Sequence, residues 1–182
     1  MIIYWKKKTE GETSHGLLRR AAAAYAAQAG IPFDAARCEI VTAPGGKPFF
    51  RGDPFFFSIT HTGDLWACAF SSENIGLDVQ KKKDVPPYRV AGRLFTEREQ
   101  ALVRTGGRDA FYQIWTRREA LAKWSGGSVM TSGFPDLTGD RIEWKGAALR
   151  LTDLDVWSGA AGALVSEQED PEVRIVEMEE AD

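Results

Sequence analysis

Four short segments between Gly46 and Lys123 gather the groups that bind metal ions and phosphates. They are Gly46-Lys47-Pro48, Phe57-Ser58-Ile59-Thr60-His61-Thr62-Gly63, Ile75-Gly76-Leu77-Asp78-Val79-Gln80 and Trp115-Thr116-Arg117-Arg118-Glu119-Ala120-Leu121-Ala122-Lys123. Between them they offer the hydroxyl of Thr60, the imidazole of His61, the carboxylates of Asp78 and Glu119, and the ammonium groups of Lys47 and Lys123. Each lies beside an expected strand or helix end. Such a set suits a divalent cation together with a polyphosphate: carboxylates hold the metal, while lysines and a turn or helix end hold the phosphates.

Taken singly, each residue has a plainer reading. Glu119 and Lys123 stand four apart on one helical face, the spacing of a surface ion pair contributing about 0.2–0.5 kcal/mol. Trp115, one turn earlier on that face, argues that the face is covered instead. Asp78 interrupts an apolar strand, where a carboxylate is disfavoured unless it is paired, ligating or at the strand end in reach of water. If Asp78 faces Glu119, the two carboxylates repel, and a divalent cation relieves the repulsion. His61 can be a turn residue, and Lys47 a lysine on a β-turn. Glu99, three residues after Thr96, fits a helix capping box.

The elements that position these groups follow from pattern. Ile2–Trp5, Glu39–Thr42, Phe55–Thr60, Leu65–Phe70 and Ile75–Gln80 read as strands, with Thr62-Gly63-Asp64 as a hairpin turn and Pro44-Gly45-Gly46 as another turn. An alanine-rich helix is predicted from Ser14, as its cap, to Ala29, stopped by Gly30 and Pro32. Tyr88–Phe95 is helical in pattern. A helix capped at Thr96 runs to about Val103, Thr105-Gly106-Gly107 breaks it, and Asp109–Trp124 is the strongest helix of the chain. Short strands follow at Arg141–Trp144, Leu149–Thr152, Ala161–Ser166 and Val173–Val176, and the acidic end from Glu177 to Asp182 is expected to fray. The run Lys81-Lys82-Lys83 and Pro86-Pro87 marks a junction, so an N-terminal lobe of residues 1–84 and a C-terminal lobe of residues 85–182 are expected. The fold class is α+β.

With 182 residues, 43% of them hydrophobic, the chain can bury one core or two small ones that share an interface. A net charge of −3 argues against a nucleic-acid partner. The two cysteines, Cys38 and Cys68, have no metal-ligand spacing and read as free thiols in a reducing compartment. Neither a secretory signal nor a membrane-length apolar run is visible, so a cytoplasmic location without membrane attachment is expected.

In their order, the four segments resemble the 4′-phosphopantetheinyl transferase superfamily, and within it the larger, surfactin-synthetase-type members. The likeness covers close to half of the chain, from about Lys47 to Lys123. It implies two similar lobes related by a pseudo-twofold axis, each a small antiparallel sheet packed with helices, working as a monomer. It also implies transfer of the phosphopantetheine arm of coenzyme A to a serine of an apo acyl or peptidyl carrier protein, with Mg²⁺ and release of 3′,5′-ADP. By resemblance, Lys47, Thr60, His61 and Lys123 contact the coenzyme A phosphates. Asp78 and Glu119 hold the metal. Glu99 is associated with the metal or is the base for the incoming serine. Three positions depart from the family pattern. Gln80 stands where a further metal carboxylate is usual, leaving a neutral oxygen for the metal. Thr60 and Thr62 replace serines and keep the hydroxyls, and Arg118 replaces a lysine and keeps the charge. The alternative is a relative that binds coenzyme A or a carrier protein but has lost transfer. A basic excess between Lys81 and Arg104 matches an acidic carrier, or is only a solvated face.

Overall fold

The computed structural model describes residues 1–52, 54–84, 88–130 and 133–179. Its elements, in chain order, are β1 (Ile2–Lys7), α1 (Ser14–Ala29), β2 (Ile40–Thr42), β3 (Pro48–Phe50), β4 (Phe56–Thr62), β5 (Leu65–Ser71), β6 (Ile75–Lys81), α2 (Tyr88–Leu94), α3 (Glu97–Ser125), β7 (Arg141–Trp144), β8 (Ala147–Leu154), β9 (Ala160–Ser166) and β10 (Arg174–Glu177). Strands form a sheet of order β10-β1-β5-β4, a second of order β6-β9-β8-β7, and the small β2–β3 ribbon. All pairings are antiparallel except β1 with β10. The expected α+β class, with antiparallel sheets and helices, is what the chain forms. β6 precedes the Lys81 junction yet is hydrogen-bonded into the second sheet, and β10 returns to the first. Pro86-Pro87 lies outside the described residues.

Strand alternation sorts the core into layers. On β5, Trp66, Cys68 and Phe70 pack with Leu17, Leu18, Tyr25 and the rings of Phe50, Phe55 and Phe57, under α1. Leu65, Ala67 and Ala69 point the other way, toward Ile75, Leu77 and Val79 of β6 and toward Trp157 and Leu164. β5 is therefore buried along both faces, which its unbroken apolar run requires. The far face of the second sheet carries Leu149, Leu151, Ala163 and Val165 and packs on Ala120, Leu121 and Ala122 of α3.

β4 and β6 are edge strands of their sheets, and they meet without a ladder. Ser58, Thr60 and Thr62 project from β4 at period two. Their hydroxyls accept the N–H groups of Leu77 (2.9 Å), Val79 (3.3 Å) and Lys81 (3.1 Å) on the free edge of β6. An edge amide buried without a partner costs about 1–3 kcal/mol, so these hydroxyls fix which residues of the two edges face each other.

Alternation also sends Gly76, Asp78 and Gln80 to the α3 face of β6. At Gly76 a Cβ would lie 1.9 Å from the Ala120 carbonyl oxygen and 2.6 Å from the Trp124 nitrogen, so the two backbones touch there. A second close approach joins the β2–β3 turn to the end of α3, where a Cβ on Gly45 would lie 1.6 Å from the Gly126 carbonyl oxygen.

Several expectations change in detail. Thr13, not Ser14, caps α1, its hydroxyl accepting from the Gly16 N–H at 3.0 Å. The helix from Thr96 and the helix to Trp124 are continuous apart from a kink at Gly107, where φ is 62° and ψ is −138°. The capping box at Thr96 and Glu99 is formed as expected. Pro48–Phe50 is a strand absent from the sequence reading, paired to β2 after the Gly45-Gly46 turn. Glu177 does not fray: it pairs with Trp5, and the Met178 N–H donates to the Trp5 carbonyl at 2.8 Å. Residues 180–182 lie outside the described residues. Cys38 and Cys68 are both free. Among the described residues, no helix is long and apolar enough to cross a membrane.

Gly76→Ala should cost about 3 kcal/mol, the upper end for overpacking, because the added methyl meets backbone that cannot turn aside. Urea unfolding of the two proteins measures it. A loss below about 0.5 kcal/mol would contradict so close a contact between β6 and α3.

Candidate active site

Asp78 is 5% exposed and faces α3. Its Oδ1 accepts the Thr60 hydroxyl at 2.9 Å and the Lys123 ammonium at 2.7 Å. Its Oδ2 is buried and has no hydrogen-bond partner among the described residues. Thr60 therefore orients the carboxylate while its own oxygen accepts the Val79 N–H. One carboxylate oxygen is fully engaged and the other is left bare.

Glu119 and Lys123, one turn apart on the last third of α3, line a cavity of about 400 Å³. Lys47, Ser58, Trp115 and the turn from Gly126 to Ser128 complete much of its wall. Burial pushes the Glu119 carboxyl above its ordinary value. The negative charge of Asp78 raises it further, and Lys123 opposes both. The two negative charges are thus near enough to oppose each other. Trp115 is half-buried, lines the cavity and stacks on Phe111 of the same helix at 6.0 Å, so this face of α3 is not a freely solvated one.

Lys47 reaches the same cavity from the β2–β3 turn. Its ammonium donates to Asn74 Oδ1 and, at 2.9 Å, to the Ile75 carbonyl. Burial pulls its pKa down to about 8 from 10.5. Burial of this charge opposes folding fully below pH 8. That opposition fades as the pH rises from 8 through 10.5, because the unfolded chain then holds the extra proton.

The remaining expected residues lie differently. His61 follows Thr60 on the opposite face of β4, is exposed, and does not line this cavity. Gln80 is half-buried on the same face of β6 as Asp78, two residues along. Glu99 is wholly buried. Its Oε2 accepts the Thr96 N–H at 2.8 Å and the Arg118 guanidinium, and its Oε1 accepts the Leu137 N–H at 2.9 Å. Arg118 in turn lies over the rings of Phe95 and Phe134. Both Glu99 oxygens are filled by protein donors.

Asn74, Ser58 and the Gly126–Ser128 turn escaped the sequence reading. Ser58 lies in the Phe57–Gly63 segment, and its period-two spacing with Thr60 and Thr62 is the local signal. Gly126-Gly127-Ser128 has, as a local pattern, only the composition of a helix stop, and nothing local marks Asn74.

Among the described residues, no three His, Cys, Asp or Glu side chains are grouped to hold a metal ion. The oxygen set of Asp78, Glu119 and Gln80 nonetheless fits a hard cation such as Mg²⁺, which binds through one or two carboxylates and keeps other positions for phosphate and water. The bare, buried Oδ2 of Asp78 is the observation that favours this fit.

A sequence model of the 4′-phosphopantetheinyl transferase superfamily matches residues 74–169, more than half of the chain. The chain is 35% identical over 98 residues to the 4′-phosphopantetheinyl transferase AcpT of Salmonella typhi, a match covering 50% of this chain and 51% of that protein. It is 33% identical over 86 residues to the 4′-phosphopantetheinyl transferase Sfp of Bacillus subtilis, covering 44% and 38%. With psf-1 of Bacillus pumilus, also a 4′-phosphopantetheinyl transferase, identity is 30% over 117 residues, covering 62% and 49%. The chain spans about half the length of the curated relatives it matches.

In the metal-free protein, Glu119 should titrate above the ordinary carboxylate range. Its contribution to stability is then greatest below its unfolded value and is lost as the pH rises through the raised folded value. Asp78→Asn should bring the Glu119 midpoint down and Lys123→Ala should move it up. Carboxyl ¹³C chemical shifts followed against pH measure both. The reverse order would mean that these three groups do not share a site.

Proposed function

The chain belongs to the 4′-phosphopantetheinyl transferase superfamily, and we propose on that footing that it transfers the 4′-phosphopantetheine group from coenzyme A to a serine hydroxyl of an apo carrier protein, releasing 3′,5′-ADP, with Mg²⁺. The observation that carries the proposal is Asp78. One of its oxygens is held by Thr60 and Lys123, while the other is buried with no partner among the described residues, and the Asp78 charge acts on Glu119.

In this reading, Asp78 and Glu119 hold Mg²⁺, with the Gln80 amide oxygen as a neutral neighbour. When bound, the ion offsets charge that develops on the phosphate oxygens during transfer. Lys47 and Lys123 contact the phosphates from opposite walls of the cavity, and such contacts accelerate transfer to the extent that they strengthen as negative charge builds. Thr60 fixes the Asp78 carboxylate. His61, at the exposed edge of β4, meets only a ligand that extends out of the cavity. Glu99 acts by holding the start of α3 to Arg118 and Leu137, and not on substrate.

We read the two sheets as the cores of two similar lobes, with α1 and α3 as their covering helices and a pseudo-twofold relation between them. The halves 1–84 and 85–182 then exchange end strands, β6 passing forward and β10 back. A monomer in the cytoplasm accords with this reading. For the carrier protein, the exposed Arg89 and Arg93 of α2, beside the exposed Tyr88 and Val90, offer a basic and apolar surface to an acidic helix. Gln80 favours a second reading, a coenzyme A- or carrier-binding relative that does not transfer, since it removes a formal negative charge from the metal site.

Mass spectrometry of apo carrier proteins incubated with the chain, coenzyme A and Mg²⁺ separates the two readings. A mass gain of one phosphopantetheine group is expected, and its absence across fatty-acid, polyketide and peptide carriers would favour the second. Asp78→Ala and Glu119→Ala should abolish the gain. Gln80→Glu should lower the Mg²⁺ concentration that gives half the maximal rate, because Mg²⁺ favours anionic oxygen. An unchanged requirement would put residue 80 outside the metal's surroundings. Charge reversal at Arg89 and Arg93 should raise KM for the carrier about tenfold and leave coenzyme A binding alone. Carrier kinetics indifferent to the reversal would make this face merely solvated.

A further inference from the structure

Asn74 joins three elements of the site. It sits just before β6, four residues ahead of Asp78. Its Oδ1 accepts the Lys47 ammonium, and its Nδ2 donates to the Trp124 carbonyl in the last turn of α3 at 2.9 Å. The carbonyl of the next residue, Ile75, accepts from Lys47 as well. Among the described residues the lysine therefore meets only neutral acceptors, and both belong to one short segment whose position is fixed by its bond to α3.

Lys47 occupies the wall between two cavities of about 400 Å³ each. The first holds Glu119 and Lys123. The second is lined by Phe49, Phe56 and Trp124, with Asn74 among its few polar groups. Glu119 from α3 is the one carboxylate lining either cavity among the described residues, and Lys123 stands on the same wall. A lysine on a flexible stem needs a fixed partner to present its charge in one place. A carboxylate partner would fix it equally well and cancel its field. An amide oxygen fixes it and leaves the charge for an anion.

We infer that Asn74 is a positioning residue for phosphate recognition: it acts through Lys47, holding the ammonium at the junction of the two cavities with its positive charge uncancelled. The inference rests on the coenzyme A reading above. It also explains why the tether reaches Trp124. The same amide that sets Lys47 ties it to the helix carrying Lys123, so the two cations keep a fixed separation across the cavity.

The test is a double-mutant cycle on the full chain, with 3′,5′-ADP and inorganic pyrophosphate as calorimetric probes. Asn74→Asp keeps the shape and adds a charge, so it should weaken 3′,5′-ADP binding about tenfold. Asn74→Ala should weaken it about threefold by releasing one tether. In a Lys47→Met background Asn74→Ala should not matter further, because the group it acts through is gone. In turnover, KM for coenzyme A should rise with kcat held, the mark of lost uniform binding. Equal effects of Asn74→Ala in both backgrounds would mean that the residue only braces α3 through Trp124, which overturns the inference. Should Asn74→Asp fail to fold, the alanine variant carries the cycle. Lys47→Met weakening the probes while both Asn74 variants bind normally sinks the inference and leaves the coenzyme A reading standing. A wild-type chain that binds neither probe removes both.

Discussion

Three hydroxyls on β4 answer three amides on β6, and the site is built outward from that seam. β6 is the edge of its sheet, so the N–H groups of Leu77, Val79 and Lys81 face away from β9 and need acceptors. A second ladder strand would satisfy them, but it would merge the two sheets into one continuous surface. Ser58, Thr60 and Thr62 satisfy them from side chains instead, so the sheets stay separate while their edges remain in register. Period-two alternation does the rest. With Leu77 and Val79 committed to the core between the sheets, Asp78 must face α3, and the Thr60 hydroxyl lies at its carboxylate.

The second constraint is the approach of α3. Gly76 lets the helix backbone touch β6, and Gly45 lets the β2–β3 turn touch the helix end. Arg117 and Arg118 hold the same helix on its buried sides. Arg117 pairs with both Asp153 oxygens at 2.7 Å and donates to the Leu137 and Gly139 carbonyls, while Arg118 takes Glu99. On one turn of helix, two arginines are therefore structural and the next residue, Glu119, faces the cavity. Arg118 and Glu99 are both almost without exposure, so the loss of either would strand a buried charge.

The charges in the cavity and on the strand behind it do not balance locally. Asp78 has one oxygen paired and one bare, Glu119 is held above its ordinary value, and burial lowers the pKa of Lys47. Each of these groups is in a state that a ligand of opposite charge would relieve, the two carboxylates by a cation and the lysine by an anion. Water-exposed surface pairs elsewhere, such as Arg51 with Glu39, show no such tension.

Much of this was legible in the chain. Alternating and unbroken apolar runs marked the strands from Ile2 to Gln80 other than Pro48–Phe50, and the Thr96–Glu99 capping box marked the start of α3, because these patterns depend on near neighbours alone. The period-four spacing of Glu119 and Lys123, with Trp115 a turn before them, placed both groups on one covered face. Asp78 stood out because a carboxylate inside an apolar strand needs a reason. What neighbours cannot encode is which distant groups fill a given valence. Glu99 reads locally as a helix cap, and nothing near it in the chain announces that Arg118 and the Leu137 amide also occupy its oxygens. Thr60 could face a ligand or Asp78 until the seam set its direction. Asn74 is an ordinary loop residue until Lys47, 27 positions earlier, and Trp124, 50 positions later, close on its amide. The sequence by itself determined the periodicities and the inventory of charged groups, since propensity, capping and alternation act over a few residues. Only the tertiary structure decided which oxygens are spent and which are bare, because burial and hydrogen bonding between remote segments exist only once the sheets and α3 have met.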